Sequence, residues 1–166
     1  MTDTQLERDN IRQVVEQIWE AMFATGLDCL DGYGHINGGP VLSGCIQIDG
    51  AWIGTVVLQC SLELARKLAA VMFGTEQLED AEICDAVGEL TNLVAGGIQS
   101  LVPAPSELTP PSVIEGRQYK LVFPRCRMLS TTHFQSFDEP LSVVVFEANS
   151  EAVAADSEHI RKDFRC

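Results

Sequence analysis

Positive charge is scarce in this chain of 166 residues. Lys and Arg together number 11 against 24 Asp plus Glu, which gives a formal net charge of −13. The resulting field repels the phosphates of nucleic acids and the surfaces of anionic membranes. We therefore expect a protein that binds neither nucleic acid nor membrane.

Long hydrophobic runs are absent as well. No apolar segment approaches the ~20 residues that a helix needs to span a bilayer. The N-terminal segment is polar and acidic, whereas a signal peptide is basic and then apolar. The sequence predicts a soluble, non-secreted protein of the cytoplasm.

The sequence also lacks the cysteine and histidine spacings of metal sites. Its six cysteines stand singly, and its three histidines lie in unrelated contexts. Because structural zinc requires clustered ligands, we expect reduced thiols and no intrinsic cofactor. Ser43 and Cys60 have no neighbouring histidine to activate them, and the glycine-rich segment 26–40 misses the dinucleotide-binding fingerprint. No constellation for a small-molecule enzyme is evident.

Hydrophobic periodicity predicts a helix near the start of the chain. Apolar side chains three and four positions apart predict this helix over about residues 5–24, with Thr4 and Glu7 as its capping box. The composition fits one domain that spans the whole chain, with a core over about 41–147 and a polar tail over about 149–166.

Strands and a second helix follow. Segments 41–48 and 51–58 are rich in Val, Ile and Leu and flank Asp49-Gly50, which predicts a β-hairpin with a two-residue turn. A second helix is expected over Leu62–Phe73, where Gly74 ends it.

A third helix is predicted over about 79–102, ending before Pro103. Its apolar residues form one continuous stripe at helical spacing. Later strands are predicted over 112–115, 118–123, 127–137 and 141–147, the last two as a hairpin. The fold class is therefore mixed α/β (α+β), an antiparallel sheet with hairpins packed by a long helix and further helices.

The face of the third helix opposite its apolar stripe carries Asp85, Glu89 and Asn92, whose offsets of four and three align them. Around them we place the candidate partner-binding residues Asp85, Gly88, Gly96 and Gln99. A carboxylate and an amide so arranged can pair with an incoming cation and orient a water, because Asn is neutral at every pH. The alternative is an ordinary solvated face with acids near the helix N-terminus.

Beyond this spacing, the sequence resembles a known family. Asp85, Glu89 and Asn92 match the [D/S]-x-x-x-E-x-x-N signature of the CheC/CheX/FliY family of chemotaxis phosphatases. Further similarity to the CheX-like domain lies in 64–69, 72–74, 93–97 and 111–116, so the resemblance covers about Val41 to Glu147.

The resemblance implies a phosphatase that acts on the phosphoaspartate of a phosphorylated CheY-like response regulator. Glu89 would contact the active-site lysine of the receiver domain, and Asn92 would position the attacking water. Asp85 would have an interface role only, and Mg²⁺ would be held by the receiver. Because the single signature resembles CheX, a homodimer is expected.

Two questions stay open at this stage. Asp3, Glu7 and Asn10 repeat the signature spacing without its glycine-rich continuation, and we expect no second site there. The same acidic face also fits a non-catalytic module that binds a response regulator or a flagellar switch component. No Lys, Arg or His lies between Lys67 and Arg117, so either partner would meet a strongly acidic surface.

Overall fold

Three helices pack against one face of a seven-stranded antiparallel sheet in a computed structural model, which describes residues 6–32, 36 and 38–149. The helices are α1 (Arg8–Phe23), α2 (Leu62–Phe73) and α3 (Asp80–Gln99). The strands are β1 (Asp28–Leu30), β2 (Val41–Gly50), β3 (Gly54–Ser61), β4 (Ser106–Leu108), β5 (Ser112–Gly116), β6 (Cys126–Ser136) and β7 (Glu139–Ala148). The predicted fold class is confirmed.

The sheet order places the longest strands at its centre. The order is β1-β6-β7-β3-β2-β4, and β5 pairs with the same edge of β2 as β4 does, nearer the start of that strand. The core lies between the sheet and the helices, with Trp19, Leu58, Leu90 and Phe134 among its fully buried side chains. None of the helices in the described part of the chain is long and apolar enough to cross a membrane.

Local sequence signals fix α2 as predicted. The Ser61 hydroxyl accepts a hydrogen bond from the backbone N–H of Leu64 at 3.0 Å, which caps the helix. Gly74 ends α2 with a φ of 69°, a left-handed conformation that suits glycine.

The predicted turn at Asp49-Gly50 is wrong, although the β2–β3 hairpin is present. Asp49 and Gly50 continue β2 and pair with Glu107 and Ser106 of β4, a short strand that the sequence did not reveal. Gly50 has a φ of 141°, and a Cβ there would meet the backbone of Pro105. The hairpin turn falls instead on residues 51–53.

Two further predictions are corrected. Segment 118–123 is not a strand: it pairs with no other strand, and Gln118 at its start has the left-handed φ of 50°. In α1 the N-cap is Glu7, which makes no side-chain capping bond. Thr4, the other half of the expected capping box, lies outside the described residues, as does all of the polar tail after residue 149.

Two glycines let α3 pack closely on both sides. A Cβ on Gly44 of β2 would overlap Thr91 of α3, and a Cβ on Gly97 of α3 would overlap Val14 of α1. These contacts fix both the height of α3 above the sheet and its distance from α1.

Candidate functional site

The signature residues lie on a helix whose start is firmly capped. The Glu79 side chain accepts from the N3 backbone N–H of α3, and Glu82 accepts from the Glu79 N–H at 2.8 Å. This reciprocal capping box satisfies N–H groups that a helix start leaves open. The second turn of α3, where the signature begins, is therefore regular.

The polar face of α3 that carries the signature lies opposite its buried apolar stripe, as the helical spacing predicts. Ile83, Val87, Leu90, Val94 and Ile98 of α3 are buried, whereas Asp85 and Glu89 are exposed and Asn92 is half-buried. Within the described residues, the Glu89 carboxylate and the Asn92 amide make no side-chain hydrogen bond or ion pair. Both polar groups are thus available to a second molecule.

The expected partner-binding residues differ in their surroundings: Gly96 faces open space, whereas Gly88 and Gln99 contact other parts of the chain. At Gly96 a Cβ would meet open space, so this part of α3 lies free beside the signature. Gly88 is buried, with Pro111 and Val113 within 3.4 to 3.6 Å of an added Cβ, so it is not surface for a partner. Gln99 donates to the Ser106 carbonyl at 2.7 Å, so its amide holds α3 to β4. Burial takes Gly88 out of the exposed face of α3, whereas a partner-binding role for the half-buried Gln99 stays a prediction.

Glu115, which the sequence analysis did not assign to the site, lies close to α3. Burial raises the pKa of the Cys84 thiol, and the nearby carboxylates of Glu115, Asp80 and Asp85 raise it further. Glu115 belongs to β5, which packs on α3 through Val113. Its place depends on strand register, and no local pattern in the sequence indicates it.

The second copy of the spacing does not form an equivalent site. Glu7 has the extended backbone of an N-cap, so it precedes the helix that carries Asn10. The pair therefore differs in backbone from Glu89 and Asn92, which both lie within a helix. Asp3, the first residue of that copy, lies outside the described residues. Across those residues, no group of three or more His, Cys, Asp or Glu side chains forms a candidate metal site.

Comparison with protein-family models identifies the chain. Residues 42–135, more than half of its length, match the family described as chemotaxis phosphatase CheX. The protein belongs to the CheX family. This match confirms the family resemblance that the signature indicated, and α3 with all three signature residues lies within it. A comparison with curated protein sequences gives no significant match.

Solved structures share the CheX fold along most of the chain. The chemotaxis protein CheX from Vibrio vulnificus is 21% identical with a TM-score of 0.70, covering 89% of this chain and 99% of that one. A CheC-like superfamily protein from Shewanella is 20% identical with a TM-score of 0.65, covering 84% and 96%. CheX from Borrelia burgdorferi, in a complex with CheY, BeF₃ and Mg²⁺, is 16% identical with a TM-score of 0.65, covering 87% and 99%.

Proposed function

We propose that this CheX family member hydrolyses the phosphoaspartate of a CheY-like response-regulator receiver domain. The observation that carries the proposal is that the exposed Glu89 and the half-buried Asn92 lie on one face of α3 at the spacing of the family signature, with no side-chain bond to any described residue. The complex of a structurally similar CheX with CheY, BeF₃ and Mg²⁺ supports a receiver as partner.

Glu89 docks the receiver in this proposal. Its carboxylate is exposed and has no ion pair with any described residue, so it can pair with a lysine ammonium of the partner. The neighbouring acids on α3 and β5 attract the same cation and add long-range steering. Loss of Glu89 is therefore expected to weaken binding of the receiver more than it lowers the maximal rate.

Asn92 orients the attacking water. A neutral amide cannot abstract a proton, but it can hold a water by donating and accepting hydrogen bonds. The water oxygen then bonds to phosphorus as the bond between phosphorus and the aspartyl oxygen breaks, which yields inorganic phosphate and a free aspartate. The receiver supplies Mg²⁺ to offset charge on the phosphoryl oxygens, so in-line positioning is the contribution required of this chain.

The test measures phosphate release from a purified CheY-like receiver that has been phosphorylated in the presence of Mg²⁺. Wild-type protein is expected to accelerate release catalytically. Asn92→Ala should lower the maximal rate by about 100-fold with little change in receiver binding. Glu89→Ala should raise the receiver concentration needed for half-maximal rate. Asn10→Ala is the matched control, because Asn10 follows Glu7 at the same spacing but lies at the start of α1.

Each outcome distinguishes the roles. An Asn92→Ala protein that keeps its rate would refute the water-positioning role. Binding of the phosphorylated receiver without acceleration would identify a non-catalytic module that uses the same acidic face.

We also propose a homodimer, by analogy with single-signature members of the family. Sedimentation of the full chain tests this directly, and a concentration-independent monomer mass would exclude it.

A further inference from the structure

A row of polar side chains crosses the middle of the sheet on the face opposite the helices. Directly paired residues on neighbouring strands point to the same face. The strand registers align Ser43 with Gln59, Gln59 with Ser142, and Ser142 with His133. This polar row, Ser43, Gln59, Ser142 and His133, spans three strand spacings, about 14 Å.

At the β2 end of the polar row, the side chains already hydrogen-bond to one another and to Tyr119. The Tyr119 and Ser43 hydroxyls lie 2.7 Å apart, and Gln59 donates from its Nε2 to Ser43 Oγ at 3.0 Å. Tyr119 therefore closes this end of the row, and the Gln59 carbonyl oxygen is left without a hydrogen bond from any described residue.

The middle of the row opens into a cavity. A cavity of about 280 Å³ is lined by Gln59, Ser142 and Gln118, together with Ile36, Gly38 and Gly39, which precede β2. Ser142 is only 6% exposed, yet its hydroxyl makes no hydrogen bond with any described residue. Because Ser142 lines the cavity, its hydroxyl can hydrogen-bond to a molecule that enters it.

The positively charged side chain of Arg8 lies near the other end of the row. A second cavity, of about 580 Å³, shares Gln59, His133 and Ser142 with the first and extends to Arg8. The Arg8 guanidinium donates to the Leu30 carbonyl at 3.2 Å, and Leu30 pairs with His133 across β1 and β6. Among the described residues, Arg8 has no ion pair, so its remaining N–H groups are open to an anion.

The charge of these linings departs from that of the whole chain. Although the net charge is −13, no described Asp or Glu lines either cavity. We infer that the polar row is the floor of a binding site for a small organic acid. The carboxylate of the bound acid pairs with the Arg8 guanidinium, and the other polar groups of the acid hydrogen-bond to Ser142 and Gln59. The site faces away from α3 and is independent of the proposed phosphatase activity.

The experiment is an amide NMR titration of the full chain with succinate, citrate and p-hydroxybenzoate, each at constant ionic strength. At least one acid should give saturable shifts at Gln59 and Ser142. Arg8→Gln and Ser142→Ala should each raise the dissociation constant about tenfold or more. Arg12→Gln is the matched control, since this arginine lies one turn along α1, paired with Glu16 at 3.8 Å and outside both cavities.

Three results would overturn the inference. These are the absence of saturable shifts with all three acids, affinity that survives both Arg8→Gln and Ser142→Ala, and an equal response to inorganic phosphate. The last would show that Arg8 alone attracts anions of any kind. Arg8 is exposed, so its variant keeps the core intact even if Ser142→Ala is poorly folded.

Discussion

Thr91 of α3 lies directly over Gly44 of β2, with no room for a Cβ at position 44. The Thr91 hydroxyl is itself fixed, since it donates to the Val87 carbonyl one turn earlier at 2.7 Å. Thr91 immediately precedes Asn92. The contact that sets the height and rotation of α3 over the sheet therefore also aims the amide of the proposed active site outward.

Gly44→Ala should destabilise the fold by about 1–3 kcal/mol, because the added methyl forces α3 away from β2. Urea unfolding measures this change. Gly26→Ala is the control, since a Cβ there meets nothing within 4 Å. Equal stability of the two variants would mean that the Gly44–Thr91 contact does not hold α3 in place.

The adjacent glycines of α3 should respond to alanine in opposite directions. Gly96 faces open space, so Gly96→Ala should stabilise the protein by up to about 1 kcal/mol through helix propensity. Gly97→Ala should destabilise it by about 1–3 kcal/mol, because the methyl would overlap Val14 of α1. Thermal midpoints of the two variants provide the measurement, and shifts of the same sign would contradict the packing.

Docking of the receiver should weaken as salt rises, because the acidic face of α3 acts partly at long range. The half-saturating concentration of phosphorylated receiver, measured at several ionic strengths, tests this expectation. Glu89→Gln should flatten the salt dependence, whereas Glu20→Gln on α1 should leave it as in the wild type. Salt-independent docking would show that charge does not steer the encounter.

Stability should fall at alkaline pH through one buried thiol. Burial raises the pKa of Cys60 from its ordinary value of 9.0 to about 12. Below pH 9 both the folded and unfolded states keep this proton, so the contribution is complete. Between pH 9 and 12 only the unfolded chain releases it, and the free energy of unfolding falls by up to about 1.4 kcal/mol per pH unit.

Cys60→Ala isolates this effect. Its packing cost is the difference from wild type at pH 7, and the steeper alkaline loss of the wild type above pH 9 is the contribution of the thiol. Parallel curves for the two proteins from pH 8 to 11 would show that the Cys60 pKa is not raised by folding.

Local signals were enough for the parts of the fold that are local. The Ser61 cap and Gly74 set the ends of α2, and the spacing of Glu89 and Asn92 placed both on the outer face of α3. The turn at Asp49-Gly50 was misassigned because its dipeptide favours a hairpin, whereas pairing with β4 continues the strand. That partner is more than fifty residues away, so the local pattern could not indicate it.

By itself, the sequence determined the acidic character of the chain, its three helices, the ends of α2 and the signature on α3. The net charge follows from composition alone, and the helices and the signature depend on residues within a few turns of one another. Only the tertiary structure decided that Gly88 is buried under Pro111, that Gln99 is bonded to Ser106, and that distant strands align Ser142 with Gln59. Those relationships follow from sheet register and from the docking of α3 on the sheet, which are set by packing between segments far apart in the chain.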